Sequence, residues 1–406
     1  MSDFYQHSPI ATLHRLGKSS LDELEGKLVK SVRKRPVALV IPVTLEDARQ
    51  DVFKRILEII EGVPYIHRLV VTVGRTDDQA EYAGVCRKVK EIFPEAGVIW
   101  SCGPRISKLV EKMEKMELFL GEDGKGRSVW FSYGYIIGKG DCRSIALHDA
   151  DIINYEREML ARLCFPVTLP FLHYEFCKGY YSRVTDRMYG RVTRLFVTPL
   201  IRSFKRLLGP QPFLDYMDAF RYPLAGEFSL SVTLARMNQV PGDWGLEVGT
   251  LAEVYRNCAI KRICQVDICD NYEHKHQELS QSDPNTGLAR MAEDIAKVFF
   301  RTLASQGVVF TTGSLQSLVG IYRRYTTDLT EHQQADALLN GLIYDRHAEL
   351  LAVDTFSQSL VRAWEGFMEN PQGKPQIPSW NRVESADTAF LDELLELVDE
   401  DMKEAV

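Results

Sequence analysis

Several things are missing from this chain, and each narrows what it can be. No run of about 18 consecutive apolar residues occurs, so no membrane span is predicted. The opening Met-Ser-Asp-Phe-Tyr-Gln-His has no basic region followed by an apolar core, so no secretory signal is predicted either. The eight cysteines are scattered and form no Cys-x-x-Cys pair, which argues against a zinc or dithiol redox site. Together these absences predict a soluble cytoplasmic protein with buried, reduced thiols. A repeat period is also lacking, and no recognised nucleic-acid motif accompanies the net charge of −7, which disfavours bulk nucleic-acid binding.

What is present is the composition of a globular protein. With 406 residues, 45% hydrophobic and 26% charged, the chain can bury a core without staples, and its length suits two domains of about 100–200 residues each. Residues 1–35 are polar and end in a basic stretch (Lys27, Lys30, Arg33, Lys34, Arg35), read as a solvated arm or exposed helix. From Pro36 onward, short continuous apolar runs (37–43, 68–74, 97–101, 144–148) alternate with helical patterns (45–61, 79–93, about 106–116, about 128–137). That alternation predicts βαβ units and a mostly parallel α/β sheet over residues 36–165. Residues 166–285 are less regular, with a strand around 169–181, helices near 191–208 and 246–257, and a strand at 262–268. Residues 286–406 read as mainly helical. Their last segment, 384–404, carries Leu391, Leu394, Leu395 and Val398 on one face beneath a heavily acidic outer face, and is expected to pack on the body or on a partner subunit.

Chemistry is concentrated at a few places. Asp149-Ala-Asp151 follows the strand 144–148, and open α/β sheets bind ligands at the carboxyl ends of such strands. A bare Asp-x-Asp arises by chance roughly once or twice in a chain this long. Asp399-Glu-Asp401 is a second copy, read as a solvated helix face. Two hard oxygen ligands near a phosphate suit Mg²⁺ or Mn²⁺. Gly124-Lys125-Gly126 opens a helix, where backbone N–H groups and an ammonium can meet a phosphate. With neither a Ser or Thr after the lysine nor an upstream glycine at the required spacing, it is no Walker A loop. In its second copy, Gly138-Lys139-Gly140, Gly138 is read as a helix C-cap. Residues 178–206 hold eight basic residues against Asp186 alone, a local charge of +7 that invites an anion. Within them Gly190-Arg-Val-Thr193 begins a helix, so N–H groups, the Arg191 guanidinium and the Thr193 hydroxyl can converge on a phosphate or carboxylate. Glu227 and Glu247 each follow a glycine closely, placing them either beside a ligand or against an internal arginine.

Taken in order, residues 37–277 resemble the glucosyl-3-phosphoglycerate synthases, retaining glycosyltransferases of the GT-A fold related to the mannosylglycerate and mannosyl-3-phosphoglycerate synthases. Ile41-Pro-Val-Thr-Leu-Glu-Asp47 is similar to the family's first strand and acidic nucleotide-binding turn, implying donor contacts at Pro42, Val43 and Glu46. Gly124-Lys-Gly126 matches the lysine loop, and Asp149-Ala-Asp151 the family's Asp-x-Asp, whose second aspartate binds the metal. Lys178-Gly-Tyr-Tyr and Gly190-Arg-Val-Thr193 resemble two further segments, the latter implying acceptor binding through Gly190, Arg191 and Thr193. Pro223-Leu-Ala-Gly-Glu227 and Trp244-Gly-Leu-Glu247 imply a donor contact at Glu227 and a place for Glu247 beside the acceptor. Gln265-Val-Asp with His274-Lys-His276 implies His274 as a metal ligand. There this chain has one extra residue, lacks the expected arginine and carries His276 in place of asparagine.

The resemblance implies a metal-dependent hexosyltransferase: Mg²⁺ or Mn²⁺ as cofactor, a nucleoside-diphosphate glucose as donor, and 3-phosphoglycerate as the small anionic acceptor. It divides the chain into a nucleotide-sugar half (36–165) and an acceptor half (166–285). Lys125 with the metal would balance the departing diphosphate, and Glu247 would orient the acceptor hydroxyl. A homodimer through the C-terminal helices is expected, with neither nucleic acid nor membrane as partner. Mannosyl transfer to glycerate or 3-phosphoglycerate, and nucleotide-sugar binding without turnover, stand as alternatives.

Overall fold

The computed structural model describes residues 8–17, 19–242, 245–274 and 287–406. Its centre is one eight-stranded sheet: β1 (Ala11–Leu13), β2 (Val37–Thr44), β3 (Ile66–Gly74), β4 (Gly97–Trp100), β5 (Ser144–Leu147), β6 (Phe176–Tyr181), β7 (Phe228–Ser231) and β8 (Ile263–Cys269). The strand order is β1-β8-β6-β7-β5-β2-β3-β4. β7 runs antiparallel to both its neighbours and every other pairing is parallel. Helices cover both faces, so the central strands are continuously apolar rather than alternating; Val37 to Ile41 are fully buried. The chain steps from β2 outward to β3 and β4 and then returns to the other side of β2 as β5. That reversal opens a crevice at the carboxyl ends of the strands. β2, β3, β5, β6 and β8 all end there, while antiparallel β7 begins there.

Local expectations were met with instructive exceptions. The helical pattern 45–61 is split into Leu45–Ala48 and Asp51–Ile60, because Gln50 adopts an extended conformation. β6 starts only at Phe176; the residues before it form a turn with Leu172 N–H donating to the Leu169 carbonyl and His173 at φ 58°. The helix Lys125–Lys139 runs past Gly138, and Gly140 at φ 68° is the cap. Gly138 instead makes room for Leu395 of the C-terminal helix Phe390–Ala405, which would lie 3.1 Å from a Cβ there. Residues of the N-terminal segment are woven into the body: β1 pairs with β8, and the helix Leu21–Val32 buries Leu28 and holds Arg157 through Glu25. Seven of the eight cysteines are buried and all are unpaired. No helix among the described residues is long and apolar enough to cross a membrane.

The acidic C-terminal helix is not a solvated strip. Its apolar stripe (Leu391, Leu394, Val398) is covered by the chain's own body, and Arg105 pairs with Glu400, Asp401 and Glu404 while Lys112 pairs with Asp387 and Glu393. Asp401, expected to face solvent, is 3% exposed and accepts from Arg105 Nη1 at 2.7 Å. The preceding helix Trp380–Ala386 docks through Trp380, whose ring stacks 4.0 Å from Trp130 and covers Gly134. A Cβ on Gly134 would lie 2.1 Å from Trp380 Cζ2. Gly134→Ala is therefore expected to destabilise the protein by about 1–3 kcal/mol through overpacking. Urea unfolding should show a lower midpoint at an unchanged slope, and an unchanged midpoint would mean that the two tryptophans can separate without cost.

Candidate active site

The crevice is a cleft of about 1740 Å³. Pro42, Val43 and Glu46 line it at the end of β2, Gly74 and Arg75 at the end of β3, Asp149 and Asp151 after β5, and His274 after β8. Gly190, Arg191 and Thr193 stand on another part of its wall, with Lys125 and Glu247 at the starts of two helices between them. Of the residues to which the sequence assigns a site role, Glu227 alone among those described does not line the cleft. Trp244 and His276 lie outside the described residues.

Lys125 organises the centre. Its Nζ lies 2.7 Å from Asp149 Oδ1 and 3.1 Å from Glu247 Oε1, bringing together residues 122 positions apart. Burial pushes the ammonium's pKa down, but Asp149, Glu247 and Glu227 outweigh it and hold the lysine charged. The reverse holds for Asp149. Burial would raise its pKa, and Lys125 overrides this and keeps it below the usual carboxylate range. No side chain caps the helix that Lys125 opens, so its first N–H groups face the cleft as an anion site. Asp149 is seated against Gly226, where a Cβ would come within 2.4 Å of Oδ2. Close approach at that glycine thus seats the Asp149 carboxylate, which is neither of the two readings its sequence allowed.

Glu227 lies behind the wall, 1% exposed, where Tyr181 and Tyr272 donate to its two oxygens. The two tyrosine rings stack at 3.9 Å and 6°. Burial, then the nearby Asp149 carboxylate, raise the Glu227 pKa against those hydrogen bonds. Tyr181 ends β6 and Tyr272 precedes His274, so this cluster ties three strand ends together. Tyr181 closes the Lys178-Gly-Tyr-Tyr segment, to which the sequence assigns no role, and Tyr272 lies outside every quoted segment; a polar-tipped aromatic is indistinguishable there from core. His148 is a further buried support. Its Nδ1 donates to the Asp149 carbonyl and its Nε2 accepts from Tyr155, each at 3.1 Å, and burial pushes its pKa down to about 4. The ring is thus neutral and held in one tautomer.

Asp151 and His274 come together at the mouth of β5 and β8: Oδ2 and Nδ1 are 3.5 Å apart, and Ile152 bridges to His274 across the backbone. A carboxylate and an imidazole, both about a quarter exposed to the cleft, form a donor pair suited to a divalent cation. On the acceptor side, half of the basic residues of the +7 cluster are paired with acids from elsewhere in the chain, and Arg187 with the cluster's own Asp186. Arg202 and Lys205 pair with Asp218, Arg187 with Asp186, and Arg191 and Arg194 with Glu349. Gly190, Arg191 and Thr193 line the cleft, and Arg183 and Arg187 line it with them. Gly190 sits at φ 72°, a left-handed conformation that costs other residues, and the Tyr222 hydroxyl would be 3.0 Å from a Cβ. Thr193 Oγ1 is buried with no hydrogen-bond partner among the described residues, and the turns that follow are a π-helix, Val192–Val197. Lys178, buried on β6 with its Nζ making no hydrogen bond among the described residues, rests 5.3 Å over the Phe228 ring.

This mostly parallel sheet, with a cationic helix start balanced by carboxylates at its switch point, is the arrangement of GT-A-fold glycosyltransferases, as comparison with solved structures shows. Solved structures share this fold. A glucosyl-3-phosphoglycerate synthase from Mycobacterium tuberculosis superposes with a TM-score of 0.51 at 20% identity, covering 74% of this chain and 88% of that one. A mannosyl-3-phosphoglycerate synthase from Rubrobacter xylanophilus gives 0.55 at 21% identity, covering 74% and 83%. No protein-family model matches the chain. Its sequence is 43% identical over 401 residues to the glucosyl-3-phosphoglycerate synthase of Persephonella marina, covering 99% of both chains. It is 36% identical over 410 residues to that of Methanococcoides burtonii, covering 99% and 98%. The chain belongs to the glucosyl-3-phosphoglycerate synthase family.

Proposed function

We propose that the protein transfers glucose from a nucleoside-diphosphate glucose to the 2-hydroxyl of 3-phosphoglycerate, with retention at the anomeric carbon. The observation that carries this is full-length similarity to two synthases of that name, joined to a cleft that gathers the matching residues. The Mycobacterium tuberculosis enzyme has been crystallised with Mn²⁺, UDP-glucose and phosphoglyceric acid, and with Mg²⁺ and UDP. In this chain Asp151 and His274 would hold such a cation, which when bound offsets charge on a departing diphosphate.

The chain's own residues supply the rest. Lys125 and the uncapped N–H groups of its helix bind the diphosphate of the donor, whose nucleoside lies against Pro42, Val43 and Glu46. Asp149, held ionised by Lys125, faces the sugar, and Glu227 supports that wall from behind. Arg191, Thr193 and the Gly190 backbone take the anionic end of the acceptor. Glu247, 3.1 Å from Lys125 Nζ, orients the acceptor hydroxyl. Its partner there is an ammonium rather than a second carboxylate, so no glycosidase-like pair is invoked.

The test is a matrix of donors (UDP-, GDP- and ADP-glucose, GDP-mannose) against acceptors (3-phosphoglycerate, glycerate) with Mg²⁺ or Mn²⁺, read by product mass. Glucosyl-3-phosphoglycerate is expected from wild type and not from Asp151→Ala. Absence of product with every glucose donor, or equal product from the variant, overturns the proposal.

A further inference from the structure

One buried carboxylate outside the matched motifs controls the geometry of the acceptor wall. Glu349 belongs to the helix Arg346–Glu369, in the mainly helical C-terminal part of the chain, and is 4% exposed. Each of its oxygens takes one arginine: Oε1 accepts from Arg191 Nε at 2.9 Å and Oε2 from Arg194 Nη1 at 2.7 Å. Arg194 spends its other nitrogens on the chain just before Gly190, donating to the Tyr189 carbonyl at 2.9 Å and the Met188 carbonyl at 3.2 Å. Its Nη1 also reaches Gln333, on the neighbouring helix Thr312–Leu339. The same helix supplies Tyr322, whose hydroxyl donates at 2.6 Å to the Leu195 carbonyl within the π-helical turns.

This arrangement leaves Arg191 in a particular state. Among the described residues its guanidinium bonds to Glu349 alone, and only through Nε. The side chain is about one-third exposed and lines the cleft. A planar guanidinium pinned at Nε keeps its two terminal nitrogens as a fork, the geometry that matches two oxygens of a phosphate or carboxylate. One carboxylate shared between two arginines also leaves the group a net positive charge for an incoming anion.

We infer that Glu349 is a positioning residue of the acceptor site, setting the plane of the Arg191 fork and, through Arg194, the path of the backbone at Gly190. The inference rests on the proposed acceptor chemistry, and it gives the helix Arg346–Glu369 a part in the active site. Pre-organisation of this kind lowers the cost of ordering the arginine when the acceptor binds. Its removal therefore weakens acceptor binding and leaves donor binding as it was.

Full-length Glu349→Gln keeps the shape and removes the charge, turning an amide N–H₂ toward one of the two arginines. The KM for 3-phosphoglycerate is expected to rise about 10-fold, with kcat at saturating acceptor and the donor KM changed less than twofold. Glu349→Asp, which keeps the charge on a shorter arm, is expected to give an intermediate acceptor KM, and it carries the test if the glutamine variant does not fold. An unchanged acceptor KM in a folded variant overturns the inference. So does a parallel change in donor KM and kcat accompanied by a fall in melting temperature, since that is what a purely structural ion pair would produce. If wild type neither turns over nor binds 3-phosphoglycerate, the proposed function fails instead, and the two failures are told apart by that control.

Discussion

Lys125→Met is expected to lower kcat/KM about 10³-fold while the protein still folds, the size of loss seen when a donor aimed at developing charge is removed. The lysine has two tasks in the proposed reaction, and methionine performs neither. It places a positive charge where the diphosphate accumulates negative charge, and it keeps Asp149 ionised against burial. Without it, burial and the mutual repulsion of Asp149 and Glu227 push those two carboxyl groups toward the protonated form. The linked stability follows the same sign. In wild type the depressed Asp149 pKa contributes stability that is present above its unfolded value of 3.8 and is lost as the pH falls through the lower folded value. In the variant this acid limb should move to higher pH. Steady-state kinetics and a pH series of urea midpoints measure the two effects. Activity within tenfold of wild type would remove Lys125 from the catalytic centre.

Lys178→Met is expected to move stability and activity in opposite directions. The Lys178 ammonium is buried without a hydrogen bond among the described residues, and burial pushes its pKa down from 10.5 to about 8, with Glu247 and Glu227 offsetting only part of that. A folded-state value below the unfolded one means the charge costs stability at neutral pH. Its contribution is fully favourable only above 10.5 and is lost as the pH falls through about 8. Across that window wild-type stability should therefore rise with pH by on the order of 3 kcal/mol. Methionine removes the cost, so the variant should be more stable at pH 7 and lose the rise. The same charge helps to balance the carboxylates of the centre, and kcat is expected to fall about 10²-fold. A variant that is less stable than wild type at pH 7 would show that the ammonium is satisfied in the fold.

Much of this molecule is readable from its residues because local physics decides it. The apolar runs that become β2, β3, β4 and β5 are short and alternate with segments of helical periodicity, which favours strands buried on both faces. The Asp149-Ala-Asp151 turn, the lysine loop and the Gly190-Arg-Val-Thr193 segment each announce a chemistry through residue type and position. The limits of such reading are equally physical. Gly138 and Gly140 carry the same tripeptide signal as helix ends, and only the approach of Leu395 shows which one is the cap. The +7 stretch looked like an open anion site until its arginines met Asp218 and Glu349, acids from other parts of the chain.

Sequence by itself thus determined the α/β class, the carboxyl-end location of the site and the identity of most groups that line it, since these depend on neighbours within a few residues. Tertiary structure alone decided the partnerships. Lys125 with Glu247, Glu227 with Tyr181 and Tyr272, and Arg191 with Glu349 join positions from 45 to 158 residues apart. Charge and hydrogen bonding act over a few ångströms of space, and a chain carries no local trace of what will be brought that close.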